Sequence, residues 1–199
     1  MRLIRLPALA PAVLALTAFV ATGCAELRAP RVTQPVPVEL LPPGQDPMRA
    51  AIRLAANDFS NQGVGLRGRP AETAGAIARL EWLTAVISTD PRYRALPVGL
   101  GMSMRAAALE TRQALGMVED TPPALATRAL TDIAQALEEG RTPQFPAEIF
   151  PAGPERSLQR LRAPEPFPQA AIATGQLAEV SAALDRSGGW NPDAGDPRL

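Results

Sequence analysis

The sequence predicts an all-α fold, an irregular helical bundle of about five main helices with Pro-rich connections. Three observations predict it. Apolar residues recur at i, i+4, i+7 and i+11, which draws one stripe along a helix. Pro and Gly stand where those stripes begin and end. No stretch alternates apolar with polar residues long enough to suggest a strand.

Taken in order, Met48, Ile52, Ala55 and Phe59 place a first helix near 47–61, opened by Asp46 as cap and Pro47 at the first helical position. Ala76, Leu80, Leu83 and Ile87 place a second near 70–88, and its extra apolar row, Ala78, Trp82 and Val86, marks it as the central helix. A weaker stripe, Met104, Ala108, Thr111 and Leu115, predicts a helix over 101–115 ending at Gly116. Ala126, Leu130, Ile133 and Leu137 predict one over 122–139, with Thr121-Pro122 as its start and Gly140 after its end. Ala173, Leu177, Val180 and Leu184 predict the last, over 168–187, closed by Gly188. Shorter helical turns fit Asp90–Leu96 and Pro154–Leu161. The connections "TPQFPAEIFPAGP" and "APEPFP" read as straps across the bundle, with Phe145, Ile149, Phe150 and Phe167 to pin them.

The chain has 199 residues, and its 20 basic groups, all Arg, balance 20 acidic ones. Neither sign forms a long block, so the footprint of a nucleic-acid binder is missing and no nucleic-acid partner is expected. There is no His, which removes imidazole-based triads and His-ligated zinc. One Cys excludes an intramolecular disulfide.

That Cys stands at a boundary. Arg2 and Arg5 precede the apolar run "LPALAPAVLALTAFV", and "ATGC", Ala21 to Cys24, follows. Charge, apolar run and small residues ending at a cysteine together resemble the lipobox signal of a bacterial lipoprotein precursor. Two other readings are an ordinary buried cysteine, which has no place outside a folded domain, and an uncleaved membrane anchor, since Leu6 to Ala25 is 20 residues without a charge. Pro7 and Pro11 disturb its first turns, and it gives no reason for the Cys to fall here. The resemblance implies cleavage between Gly23 and Cys24 and a lipid on the Cys24 thiol and amine. More than one acyl chain then holds the protein on a membrane. Ala25, not Asp, follows the Cys, which favours the outer membrane over the inner, with the domain in the periplasm.

The organisation expected is therefore a signal peptide, 1–23, a Pro-rich tether, 24–45, a helical domain, 46–187, and a mobile C-terminal tail, 188–199. Pro30, Pro35, Pro37, Pro42 and Pro43 make the tether extended and semi-rigid. Cleavage removes two Arg and no acid, leaving 18 Arg against 20 carboxylates, a net charge of −2.

The acids are the remaining place for chemistry. Glu110, in "ALETRQALGM", sits on a helix as the acid of lytic transglycosylases does, but the Ser after the Glu and the downstream Gly-Leu-Met-Gln of those enzymes are missing. Glu81, in "ARLEWLTAV", has apolar neighbours that would raise its pKa if it were buried; its helical phase favours a solvated or Arg-paired group. Glu119-Asp120, Glu138-Glu139 and "DAGD" lack the ligand spacing of a metal loop. Neither a catalytic residue, a metal nor a cofactor is expected. Trp82 and Trp190 are candidate ligand or partner contacts, Trp82 being placed in the core by the competing reading. The function expected is a non-catalytic interaction or scaffolding module, held at the membrane through lipidated Cys24, with an envelope protein or cell-wall component as partner. A helical module carrying a small or lipid-like ligand is the alternative, and an acid-based envelope enzyme stands behind both.

Overall fold

A computed structural model describes residues 34–190. The signal segment, Gly23, Cys24, the first part of the tether and residues 191–199 lie outside them. The described residues form helices and turns with no strand, so the all-α class stands. Seven α segments are present rather than five: α1 Pro47–Asp58, α2 Ser60–Gly63, α3 Pro70–Thr89, α4 Val98–Leu115, α5 Pro123–Glu138, α6 Pro154–Arg162 and α7 Pro168–Ser187. Five are the expected main helices. The sixth is the turn expected from Pro154, and the seventh, α2, is a single turn across a kink in which Asn61, Gln62 and Gly63 have positive φ.

Proline sets the starts. α1, α3, α5, α6 and α7 each begin with Pro at the first helical position, where the missing N–H has no intrahelical partner to lose. Asp46 caps α1 by accepting from the Arg49 N–H at 2.8 Å. The start of α5 is one residue later than expected, because Pro123 holds Pro122 in extended backbone (ψ 132°). Thr121 turns its hydroxyl to the Val118 carbonyl instead. α4 starts at Val98, three residues early, tolerating Gly99 and Gly101 in its first turn.

α1 stops at Asp58, short of the expected residue 61. Asn61, Gln62 and Gly63 all have positive φ, a left-handed turn that no right-handed helix continues. Tertiary contacts hold it: the Gln62 carbonyl accepts from the Phe167 N–H at 3.0 Å, and Phe59 meets the Phe167 ring edge-on at 5.6 Å.

α3 is the centre, as its two apolar rows predict. Thr73 to Val86 is buried without interruption, and α3 packs against α1, α4, α5 and α6. Its broadest contact is with α5. Both helices bury alanines, Ala74, Ala78 and Ala85 on α3 and Ala126, Ala129 and Ala134 on α5, so their backbones can approach closely. The straps dock as expected. Ile149, Phe150 and Phe167 are buried, Phe145 meets Phe150 edge-on at 5.2 Å, and the Val118 N–H donates to the Ile149 carbonyl.

The segment read as tether is in part body. Val38–Leu40 forms a 3-10 turn, Leu40 enters the core, and the Arg79 guanidinium donates to its carbonyl at 3.2 Å. At the other end, Gly188, Gly189 and Trp190 continue from α7 as a turn packed on the bundle.

Candidate functional site

The carboxylates weighed for catalysis both have structural partners. Glu81 is 0 % exposed, with Arg112 of α4 opposite. Arg112 Nε and Nη2 donate to Glu81 Oε1 and Oε2, each at 2.6 Å, and its Nη1 donates to the Glu119 carbonyl. This two-point fork is the strong form of the pair. Burial nevertheless pushes the Glu81 carboxyl above its ordinary range, outweighing the pull of Arg112 in the other direction. Arg112 is itself pushed up, chiefly by its hydrogen bonds to Glu81. The Arg-paired expectation fits; a solvated position does not.

Glu110 acts across helices. Its two oxygens accept from the Gln169 and Ala170 N–H groups at 3.0 and 2.9 Å, capping α7 where the preceding residue, Phe167, offers no side-chain acceptor. The acid that resembled a catalyst in sequence is a helix cap supplied from α4.

Trp82 is 4 % exposed and lies in the core, as the competing reading has it. Its indole N–H finds no protein acceptor. Trp190 is half-buried in a cluster that sequence reasoning did not find. Its Nε1 donates to Asp185 at 2.7 Å, the Arg49 guanidinium lies 5.8 Å from its ring centroid, and Tyr93 meets it edge-on at 6.1 Å. Arg49 also forks onto Asp185, which its hydrogen bonds hold below the ordinary carboxylate range. A tryptophan just beyond α7, five positions after Asp185, was the only local signal; Tyr93 and Arg49 are more than ninety positions away in sequence.

Beside this cluster runs the largest of the surface depressions described, a groove of about 560 Å³ between α1 and α7. Ala50 and Ala56 of α1 and Ala178, Ser181 and Ala182 of α7 give it small side chains, and Arg53 stands on its α1 side. A second depression, of about 260 Å³, lies between residues 34–39, an N-terminal strap that the sequence reading assigned to the tether, and α5. Glu39, Arg128 and Asp132 line it and form no ion pair among the described residues, and the buried Thr127 hydroxyl has no protein partner. A hollow of about 200 Å³ lies beside Arg79, whose Nη2 donates to Asp58 at 2.6 Å. All three open to solvent.

Among the described residues, no group of three or more His, Cys, Asp and Glu is arranged to hold a metal, and no helix is long and apolar enough to cross a membrane. The fold and these features define an all-α domain with a buried hydrophobic core and open surface grooves. Comparison with protein-family models, with curated proteins and with solved structures gives no match.

Proposed function

We propose that this chain is a cell-envelope lipoprotein, anchored through lipidated Cys24 in the outer membrane, whose periplasmic helical domain is a non-catalytic interaction module. The anchor rests on the ordered signal that ends at Cys24. The interaction reading rests on the α1–α7 groove, whose small-residue floor leaves room for the side chains of a partner segment. The two acids weighed for catalysis, Glu81 and Glu110, are meanwhile committed to Arg112 and to the start of α7. The partner that fits is a helix or extended segment of an envelope protein carrying bulky apolar side chains.

One specific observation favours a second reading. The strap pocket sets one cation and two carboxylates around an unpartnered hydroxyl, a chemistry suited to a small polar ligand more than a lipid-like one. Amino acids and dipeptides that raise the melting temperature, with the rise lost in Arg128→Ala, would favour it.

The anchored-module reading is tested in cells. Cys24→Ser should abolish acyl labelling and release the protein from membranes, or trap it uncleaved. A photo-crosslinker at Ala182 should give one discrete adduct in the lipidated protein, and the same probe at exposed Glu138 should give none. Unchanged labelling ends the anchor; equal adducts from both positions end the groove.

A further inference from the structure

α4 carries two apolar stripes, and only one is buried. Leu100, Met104, Ala107, Thr111 and Leu115 face the core. Val98, Met102 and Leu109 stand at i, i+4 and i+11 on the other side, 87, 63 and 40 % exposed, with Arg105 at i+7 completing that row. At 1.5 Å per residue the row is about 17 Å long.

The row itself carries a single charge, that of Arg105. Glu110 is the single acid of α4, and the end of α7 occupies both its oxygens. Arg105 within the row and Arg94 just before it make no ion pair among the described residues, and both are exposed. Arg92 is spoken for by Asp90, which it grips at 2.6 Å. Next to it, Tyr93 and Trp190 pair edge-on, two half-buried aromatics with polar tips of the kind that settle at a bilayer interface.

We propose that this face of α4 docks on an anionic phospholipid surface, with Val98 and Met102 entering the headgroup boundary and Arg94 and Arg105 meeting lipid phosphates. Apolar side chains bordered by unpaired cations are what such a surface recognises. A protein partner fits less well, since one helical row offers less than the roughly 800 Å² per side that a stable interface needs. The inference deepens the anchored reading. The strap already belongs to the body from Gln34, so ten steps separate it from Cys24, about 31 Å when extended at 3.1 Å each. A leash that short keeps the domain beside the bilayer, where a weak contact is enough.

The test uses the chain from residue 24 onward with Cys24→Ser, so that it is independent of lipidation. Sedimentation with vesicles of equal parts phosphatidylglycerol and phosphatidylcholine should show binding that weakens at high salt and is lost on pure phosphatidylcholine. The double variant Val98→Ser/Met102→Ser should bind at least about tenfold less. Arg94→Gln/Arg105→Gln should fall to the phosphatidylcholine level. Circular dichroism melts should match the parent, since all four side chains are exposed. No binding by the parent, or equal binding by the apolar double variant, overturns the proposal. So does concentration-dependent dimerisation that Val98→Ser/Met102→Ser abolishes, which would make the row a contact between copies.

Discussion

The contact of α3 with α5 and the contact of α1 with α7 are both helix pairs rich in alanine, yet they do opposite things. α3 and α5 close on each other, and Leu80, Leu83, Leu130 and Ile133 are fully buried between and around them. α1 and α7 leave a groove of about 560 Å³. They are held at one end by Phe59 and Phe167 and at the other by the exposed Arg49–Asp185 pair, which solvent and salt screen. Small residues bring helices together only where larger neighbours fill the space on either side. Where those neighbours are missing, the same residues make a floor. Stability therefore belongs to the first pair, and the second is the surface proposed for recognition.

The largest effects are expected at the closed pair. Leu130→Asp places a carboxylate with no partner at a 0 % exposed site, and several kcal/mol should be lost in urea unfolding, enough to leave a marginal domain unfolded. Next comes the buried ion pair on the other side of α3. Glu81→Leu alone leaves the buried Arg112 guanidinium without its acceptors and should cost about 3–5 kcal/mol, whereas Glu81→Leu with Arg112→Met should come within about 1 kcal/mol of the parent or exceed it. The pair also has a pH signature. Because burial raises the folded-state pKa of Glu81 above its ordinary 4.5, its contribution to stability is full below that pH. It is lost as pH rises through the folded-state pKa, and the double apolar variant should lack that decline. Asp90 and Asp185, held low by arginines, act in the opposite sense, their contributions fading only as pH falls below 3.8.

Intermediate effects belong to the ends of the open pair. Gly63 has φ +74°, and a Cβ there would lie 2.9 Å from the buried Phe167 ring, so Gly63→Ala should cost about 2–3 kcal/mol by thermal melting. Glu110→Ala removes the cap on α7 and should cost about 1–2 kcal/mol, with faster amide exchange confined to its first turn.

The five main helices were legible because each signal is local. A stripe, a Pro at its start and a Gly after its end lie within some twenty residues, and Trp82 belongs to the core because a helix with two apolar rows has no free side. What was not legible depends on distant partners. Glu81 and Arg112 are 31 positions apart, and Glu110 caps a helix that starts 58 positions later. The same holds for the strap, since a segment with five prolines says nothing of Arg79, which reaches Leu40 across 39 positions. Leu40-Leu41, an apolar pair set between prolines, was the one hint that the segment buries something. The left-handed turn at Asn61–Gly63 was half visible: a Gly at 63 stands just past the helix expected over 47–61, but only the Phe167 N–H fixes where the turn begins.

Separation of the two pairs is the central claim, and one variant tests it. Ala182 is exposed on the α7 side of the groove, and Ala182→Trp would fill the floor without touching the core. The same sample is measured twice: for its melting temperature, and for in-cell adduct formation from a photo-crosslinker at Arg53 on the facing wall. A melting temperature within a few degrees of the parent, corresponding to less than about 0.5 kcal/mol, with the adduct lost, is the expected result. A large fall in melting temperature would show that α1 and α7 carry stability after all, and an undiminished adduct would show that the groove is not where the partner sits.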